Sequence, residues 1–293
     1  MTNARTLTLE AGGKWHGNYG VAACPICQPE RQCDQNALTL ADAPGGKLLA
    51  HCKKSGCAFR DLAIALGLNT GDFAKPDPAV IAQRKAEQWA EASRKAVQAQ
   101  SVWNEAKPIN GTFAETYLRG RGITCPLPET LRFHGACWHQ SGKRLPAMVA
   151  LVEGADLPAV HRTYLRLEGH GKAAVDPAKA MLGSVLGGAV RLAHAQGPLV
   201  VAEGIETALS LASGLLNAPA TIWAALSTTG LRGLRLPQRA SRLTIASDGD
   251  EAGRAAAHAL AERASALGWQ VSLLPAPDGR DWNDILAMKG GAA

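Results

Sequence analysis

Residues 244–253 read TIASDGDEAG: a short apolar run, then Asp248 and Asp250 separated by one glycine, then the start of a helical pattern. The run begins two residues earlier, at Arg242, and "EAGRAAAHALAERASAL" continues to Gly268, a helix stop. A buried strand that ends in two carboxylates places like charges side by side. At neutral pH a bound divalent cation offsets that repulsion, whereas a solvated turn with Asp250 as N-cap would also tolerate it. Two other readings of Asp-x-Asp fail. Counted from Asp248, the fifth and twelfth positions of an EF-hand loop fall on Ala252 and Ala259, which offer no oxygen ligand. The dehalogenase-type phosphatases need Thr or Val where Ala252 stands, and an earlier place in the domain.

Working outward, strand and helix alternate. "PLVVAEG", "ATIWAALS", "RLTIAS" and "QVSLLPAP" read as strands, while "ETALSLASGLL" and "TTGLRGLRL" read as helices between them. Nearly all-apolar strands in such alternation predict a mainly parallel sheet covered on both faces. Glu203 ends one of these strands, as Asp248 and Asp250 end another. Ligands sit at the carboxyl ends of strands in such sheets, so the three acids are expected to converge on Mg²⁺. Upstream, "LPAMVALVE" and "AVHRTYLRLEG" predict two strands joined by a "GADLP" turn, in an α+β segment. "AVIAQRKAEQWAEASRKAVQAQSVWNEA" has no Gly or Pro and predicts one long helix, with Trp89 and Trp103 on a shared packing stripe.

Five of the seven cysteines lie in the first 57 residues. "CPIC" holds Cys24 and Cys27, and "HCKKSGC" holds Cys52 and Cys57, with a predicted β-hairpin between the pairs. Two close pairs on tight turns are the spacing of a structural zinc ribbon. Cys57, after Gly56, is the favoured fourth ligand; His51 and Cys33 compete for that place. The chain has 293 residues, 46% hydrophobic and 19% charged, an ordinary globular balance. Its charge of +6 permits a polyanionic partner without requiring one. No apolar stretch is long enough for a membrane span and the N-terminus lacks a signal-peptide core, so a cytoplasmic, membrane-free location is expected.

"VVAEGIETALSL", "TIWAALSTTGL" and "LTIASDGDEAGRAAAHAL" together resemble the Toprim domain shared by DNA primases and topoisomerases, in the variant of phage- and plasmid-type primases. "KWHG", "CPIC" and "LLAHCKKSGCAFRDLAIALGL" are similar to the zinc ribbon that opens bacterial and phage primases. The resemblance implies Glu203 as a catalytic residue and Asp248 and Asp250 as Mg²⁺ or Mn²⁺ ligands, with Asp281 of "GRDWNDIL" beside them. Thr207 replaces an Asp of the housekeeping enzymes, which leaves the part of neighbouring Glu206 open. "HRTYLRLEGHGKA" and "PAKAMLG" resemble basic primase motifs and imply Arg162, Lys172 and Lys179 as nucleotide and DNA contacts. Arg119 and Arg121 of "YLRGRGI" are further candidates.

The expected organisation is therefore a zinc ribbon at 1–72, a linker helix at 73–107, a basic α+β subdomain at 108–196 and a Toprim α/β domain at 197–293. The implied function is a DNA-dependent primase that makes short RNA primers on single-stranded DNA from nucleoside triphosphates. A mobile-element setting goes with the phage and plasmid resemblance. The sequence has no P-loop lysine motif, so a replicative helicase would act in trans. The rivals are a Toprim-type nuclease and a non-catalytic single-stranded-DNA-binding accessory protein.

Overall fold

The computed structural model describes residues 3–30, 32, 35–43, 47–68 and 78–290. Cys33 lies outside them. The chain divides into two compact units, Met1–Ile81 and Ala82–Ala293.

In the first unit, α1 (Ala4–Glu10) starts where the Asn3 side chain accepts the Thr6 N–H at 2.8 Å. Strands β1 (Lys14–Trp15), β2 (Gly20–Ala22), β3 (Leu38–Ala43) and β4 (Lys47–Cys52) form one antiparallel sheet in chain order. The expected hairpin is β3 with β4, paired from Leu38↔Cys52 to Ala43↔Lys47. Helix α2 (Phe59–Ala65) follows, and its buried Leu62 joins Leu7, Leu38 and Leu40 in a small core that also holds Cys24 and Cys52.

Helix α3 (Pro78–Glu105) leads into the second unit, whose first sheet contains β5 (Lys107–Pro108), β6 (Leu131–Trp138), β7 (Arg144–Val152), β8 (Ala159–Tyr164) and β9 (Lys179–Leu182), all antiparallel. Helix α4 (Phe113–Gly120) sits between β5 and β6 in the chain. The second sheet has the order β10-β12-β11-β13-β14, from β10 (Val190–Ala193), β11 (Leu199–Ala202), β12 (Thr221–Ala224), β13 (Arg242–Ala246) and β14 (Gln270–Leu273). Strands β12, β11, β13 and β14 run parallel, while β10 is an antiparallel edge supplied by the end of the stretch read as the basic subdomain. Its helices are α5 (Ile205–Ser210), α6 (Thr228–Gly233), α7 (Glu251–Ala266) and α8 (Trp282–Gly290).

Burial follows the strand period. Val201 and Ile245 face Leu231, Ala256 and Leu260 of α6 and α7. Val200 and Ala202 face the opposite way, into a cluster with Ile205 and Leu209 of α5, Leu118 of α4, and Met148 and Ala150 of the first sheet. The two sheets thus share one core. The outer face of the first sheet carries α3, through Ala99 and Trp103 on Val149 and Val160. No described helix is long and apolar enough to cross a membrane.

Trp89 departs from the expected stripe. It is 62% exposed, whereas Trp103 is 9% exposed with Arg132 stacked 4.1 Å from its ring. Among the described residues of α3 the buried ones begin at Ala96, and those of its later turns pack on the sheet. Trp103→Ala should therefore cost about 3–5 kcal/mol and Trp89→Ala within about 0.5 kcal/mol. Guanidinium unfolding followed by far-UV circular dichroism measures both; equal midpoint shifts would contradict this packing.

Candidate functional site

Strands β11 and β13 are direct neighbours in register, Ala202 opposite Ala246, so the residues that follow them emerge together. Glu203 leaves β11 and Asp248 leaves β13 at the same edge. Burial comes first, and the charges of Asp248 and Asp250 next, in pushing Glu203 up to about 7; the Thr228 amide and Lys179 oppose them. Asp248 is also raised, by burial, then by Asp281, while the Thr207 hydroxyl, 3.3 Å from its Oδ1, works the other way. Glu203 thus registers Asp248 and Asp250, and Asp248 registers Asp281 and Asp250, across three loops.

The turn that carries Asp248 depends on glycine. A Cβ on Gly249 would lie 1.9 Å from the Pro277 carbonyl oxygen. Instead the Gly249 N–H donates to Arg280 O at 2.8 Å, and the Gly279 N–H donates to Gly249 O at 2.9 Å. This stitching brings Asp281 to the edge. Asp281 and Asp284 also cap α8 reciprocally, each carboxylate accepting the other's N–H at 2.8 and 3.0 Å. Asp250 is exposed and caps α7, accepting the Gly253 N–H at 2.6 Å. Beside Glu203, Leu226 holds φ of 74° and donates its N–H to Glu203 O at 2.7 Å. A leucine in the left-handed region is strained backbone of the kind found at functional sites.

The basic candidates divide. Thr163 pairs with Lys179 and His161 with Met181, so His161, Thr163 and Lys179 share one face of the first sheet. Arg162 stands on the other face, buried, with its guanidinium donating to Trp138 O at 3.1 Å and Met181 O at 3.4 Å. It is not brought together with Lys179. Arg119 is likewise occupied, by Glu115 and the Ile123 and Cys125 carbonyls. Lys172 is lowered by burial and by Lys179 next to it, and the charge of Arg121 reaches the same place.

Lys179 Nζ donates to Glu206 Oε2 at 2.8 Å, and Tyr117 Oη donates to Glu206 Oε1 at 2.8 Å. Burial would raise the Glu206 carboxyl, but Lys179 overrides it and holds it at about 2. His161 is buried, lowered to about 4 by burial and then by Lys179, and its Nδ1 has no partner among the described residues. Sequence reading missed Tyr117 and His161 as members of this region, while Thr207, read as replacing an Asp, stands beside Asp248. Tyr117 and Glu206 are 89 residues apart, and no local spacing links them.

In the first unit the Sγ atoms of Cys24, Cys27, Cys52 and Cys57 all lie within 4.8 Å of one another. Cys24 is 3.8 Å from Cys57, and Cys27 is 3.5 Å from Cys52. Tetrahedral zinc with Zn–S near 2.3 Å requires S···S of about 3.8 Å, so the thiols fit that ion. Burial opposes ionisation of Cys52, yet the Ser55 and Cys57 amides lower it to about 6; burial and its thiol neighbours push Cys57 up to about 12. His51 is exposed on β4 and outside the group. Among the described residues only these cysteines gather so tightly; the carboxylates stand further apart.

Because folding raises Glu203 above an ordinary carboxyl, its contribution is fully present below about pH 4.5 and is lost as pH rises through about 7. Without divalent cations, Glu203→Gln should raise stability by up to about 3 kcal/mol near pH 8 and have little effect near pH 5. Urea midpoints at the two pH values measure this. A pH-independent difference would place Glu203 away from the other acids.

Two family models match. One, described as a domain of unknown function (DUF7146), covers residues 93–192; the other, described as the Toprim domain, covers residues 198–292. No curated protein matches in sequence. Among solved structures, a DNA primase domain from Pseudomonas aeruginosa aligns at 20% identity and TM-score 0.40, covering 67% of this chain and 75% of that one. The zinc-binding and RNA polymerase domains of the Aquifex aeolicus primase align at 13% identity and TM-score 0.40, covering 100% and 84%. The RNA polymerase domain of Mycobacterium tuberculosis primase DnaG aligns at 20% identity and TM-score 0.30, covering 62% and 60%. With a Glu-Gly after β11 and an Asp-Gly-Asp after its parallel neighbour β13, residues 198–292 are a Toprim domain.

Proposed function

We propose that the chain is a DNA-dependent primase, joining nucleoside triphosphates into a short RNA primer on single-stranded DNA. The observation that carries this reading is the meeting of Glu203, Asp248, Asp250 and Asp281 at one sheet edge, with Lys179 acting on both Glu203 and Asp248. The donors suit a hard divalent cation: they are carboxylate oxygens, and two of the carboxyls are raised by burial first and by their acid neighbours next. Asp248 and Asp250 would hold Mg²⁺ or Mn²⁺, with Asp281 as a further ligand. The bound ion supplies charge neutralisation at phosphoryl oxygens.

The chain's own groups supply the rest. Glu203 titrates near neutrality, which suits a carboxylate that accepts the proton of an attacking 3′-hydroxyl. Lys172 and Lys179 present ammonium groups to a triphosphate, and Arg121 extends the basic surface. Arg162 serves the sheet, given its buried bonds to two carbonyls. The cysteine group would hold one structural zinc and stiffen a ribbon that meets the template. A replicative helicase would act in trans.

A template-directed assay with labelled ribonucleotides and Mg²⁺ or Mn²⁺ tests this. Wild type should extend primers, Asp248→Asn should fall to background, and Glu203→Gln should lose about 10²–10⁴-fold. No wild-type product on any template would overturn the reading; template degradation without ribonucleotide use would indicate a nuclease, and strand binding without product an accessory protein.

The zinc assignment has its own check. Purified chain should carry about one zinc by elemental analysis, lose it in Cys57→Ser and keep it in His51→Ala. Zinc retained by Cys57→Ser would return the fourth position to another ligand.

A further inference from the structure

Glu206 has no part in the reaction proposed above, yet it is the most enclosed acid beside it. Its side chain is 6% exposed, against 37% for its partner Lys179. Both carboxylate oxygens are taken, Oε1 by the Tyr117 hydroxyl and Oε2 by the Lys179 ammonium, each at 2.8 Å. The charges that bear on it are cationic, Lys179 first and Lys172 after it. A divalent cation reaching Glu206 would have to displace an ammonium and enter that positive field.

Folding energetics give little reason for such a pair. Desolvation of a buried ion pair commonly cancels its Coulomb attraction, and well-packed apolar residues serve stability as well. What the pair does supply is a fixed ammonium. Lys179 begins β9 at the edge of its sheet, and a free lysine there would sample many rotamers. Pinned to a carboxylate that is itself held by Tyr117 of α4, the ammonium stays where both Glu203 and Asp248 register its charge. Groups held in place before the substrate arrives need no ordering during reaction.

We propose that Glu206 is a positioning residue: the buried anchor that fixes Lys179 beside the acid cluster, and not a metal ligand. This rests on the primase reading for its consequence but not for its geometry. Tyr117 is the second donor that keeps the anchor in one orientation.

Three measurements on the full chain test it. In the first, acetylation of lysines by an N-hydroxysuccinimide ester is mapped by mass spectrometry. Lys179 should react roughly tenfold faster in Glu206→Gln than in wild type, as expected when a charge-assisted bond is lost, while exposed Lys143 is unchanged. In the second, Mn²⁺ binding, followed by water-proton relaxation, should be kept by Glu206→Gln and weakened by Asp248→Asn. In the third, primer synthesis should fall in Glu206→Gln and in Lys179→Met, and the double variant should be no worse than Lys179→Met within about twofold. Unchanged Lys179 labelling, Mn²⁺ lost with Glu206→Gln, or multiplying losses in the double variant would each overturn the proposal. If wild type makes no primer, the primase reading fails while labelling and Mn²⁺ binding still decide the anchor. If circular dichroism shows that Glu206→Gln does not fold, Tyr117→Phe keeps the carboxylate and removes one donor, and faster Lys179 labelling is again the expected result.

Discussion

Like charges brought together at the end of a parallel sheet are the constraint around which the second unit is arranged. Glu203 and Asp248 emerge from adjacent strands, Asp250 follows one turn later, and Asp281 arrives on a loop bonded to Gly249. Burial and mutual repulsion raise both Glu203 and Asp248, so this edge costs stability when empty of counter-charge. The relief within the chain is local: the Thr207 hydroxyl, the Thr228 amide and the Lys179 ammonium each oppose the repulsion. The cost is carried by packing elsewhere. One apolar cluster spans both sheets, from Met148 and Ala150 to Val200 and Ala202, and holds the edge together whatever the acids would prefer.

That shared core also explains why the basic residues belong to the other sheet. The first sheet is antiparallel and two-faced. Its even positions in β8 turn Arg162 and Tyr164 away from Lys179, and Val160, on that same face, packs against α3. Its odd positions turn His161 and Thr163 to the face that bears Lys179. Lys179 then crosses to Glu206 on α5, 27 residues on, so acid and base come from different layers and meet because the layers pack. Lys179 on one sheet and the acids that follow strands of the other attract one another, which favours a fixed relation between the two layers.

Much of this was legible in the chain itself. The apolar runs at 199–202 and 242–246, each closed by acids, fixed where the carboxylates would emerge, and strand alternation with helices predicted the parallel pairing. The paired cysteines were legible because zinc geometry demands close ligands on tight turns, and Gly56, at φ of 60°, supplies one. What stayed hidden was non-local. The face on which Arg162 stands is fixed by the pairing of β8 with β9, which no local pattern encodes. Tyr117 meets Glu206 across 89 residues of chain, and Trp89 lies on the right side of its helix but beyond the reach of the sheet. The antiparallel edge strand Val190–Ala193 was likewise invisible, because four residues carry no period long enough to name a partner.

The turns at and beside the acids leave their backbone little freedom. Gly249, between Asp248 and Asp250, admits no side chain; in the turn from β12 into α6, Gly230 would place a Cβ 1.9 Å from the Ala225 carbonyl oxygen and Leu226 is held at positive φ. Glycine at the first two positions relieves contacts; leucine at the third does not, and the strain stays in the backbone next to Glu203. Such strain persists only where surrounding bonds over-determine the conformation. Here they do: the Ala225 and Leu226 amides both donate back to β11 and its end, and Ser227 caps the helix that follows. A sheet edge built only for stability would relax this turn and replace the acids with neutral residues. The strained backbone and the repelling charges are both what the proposed divalent-cation site would require.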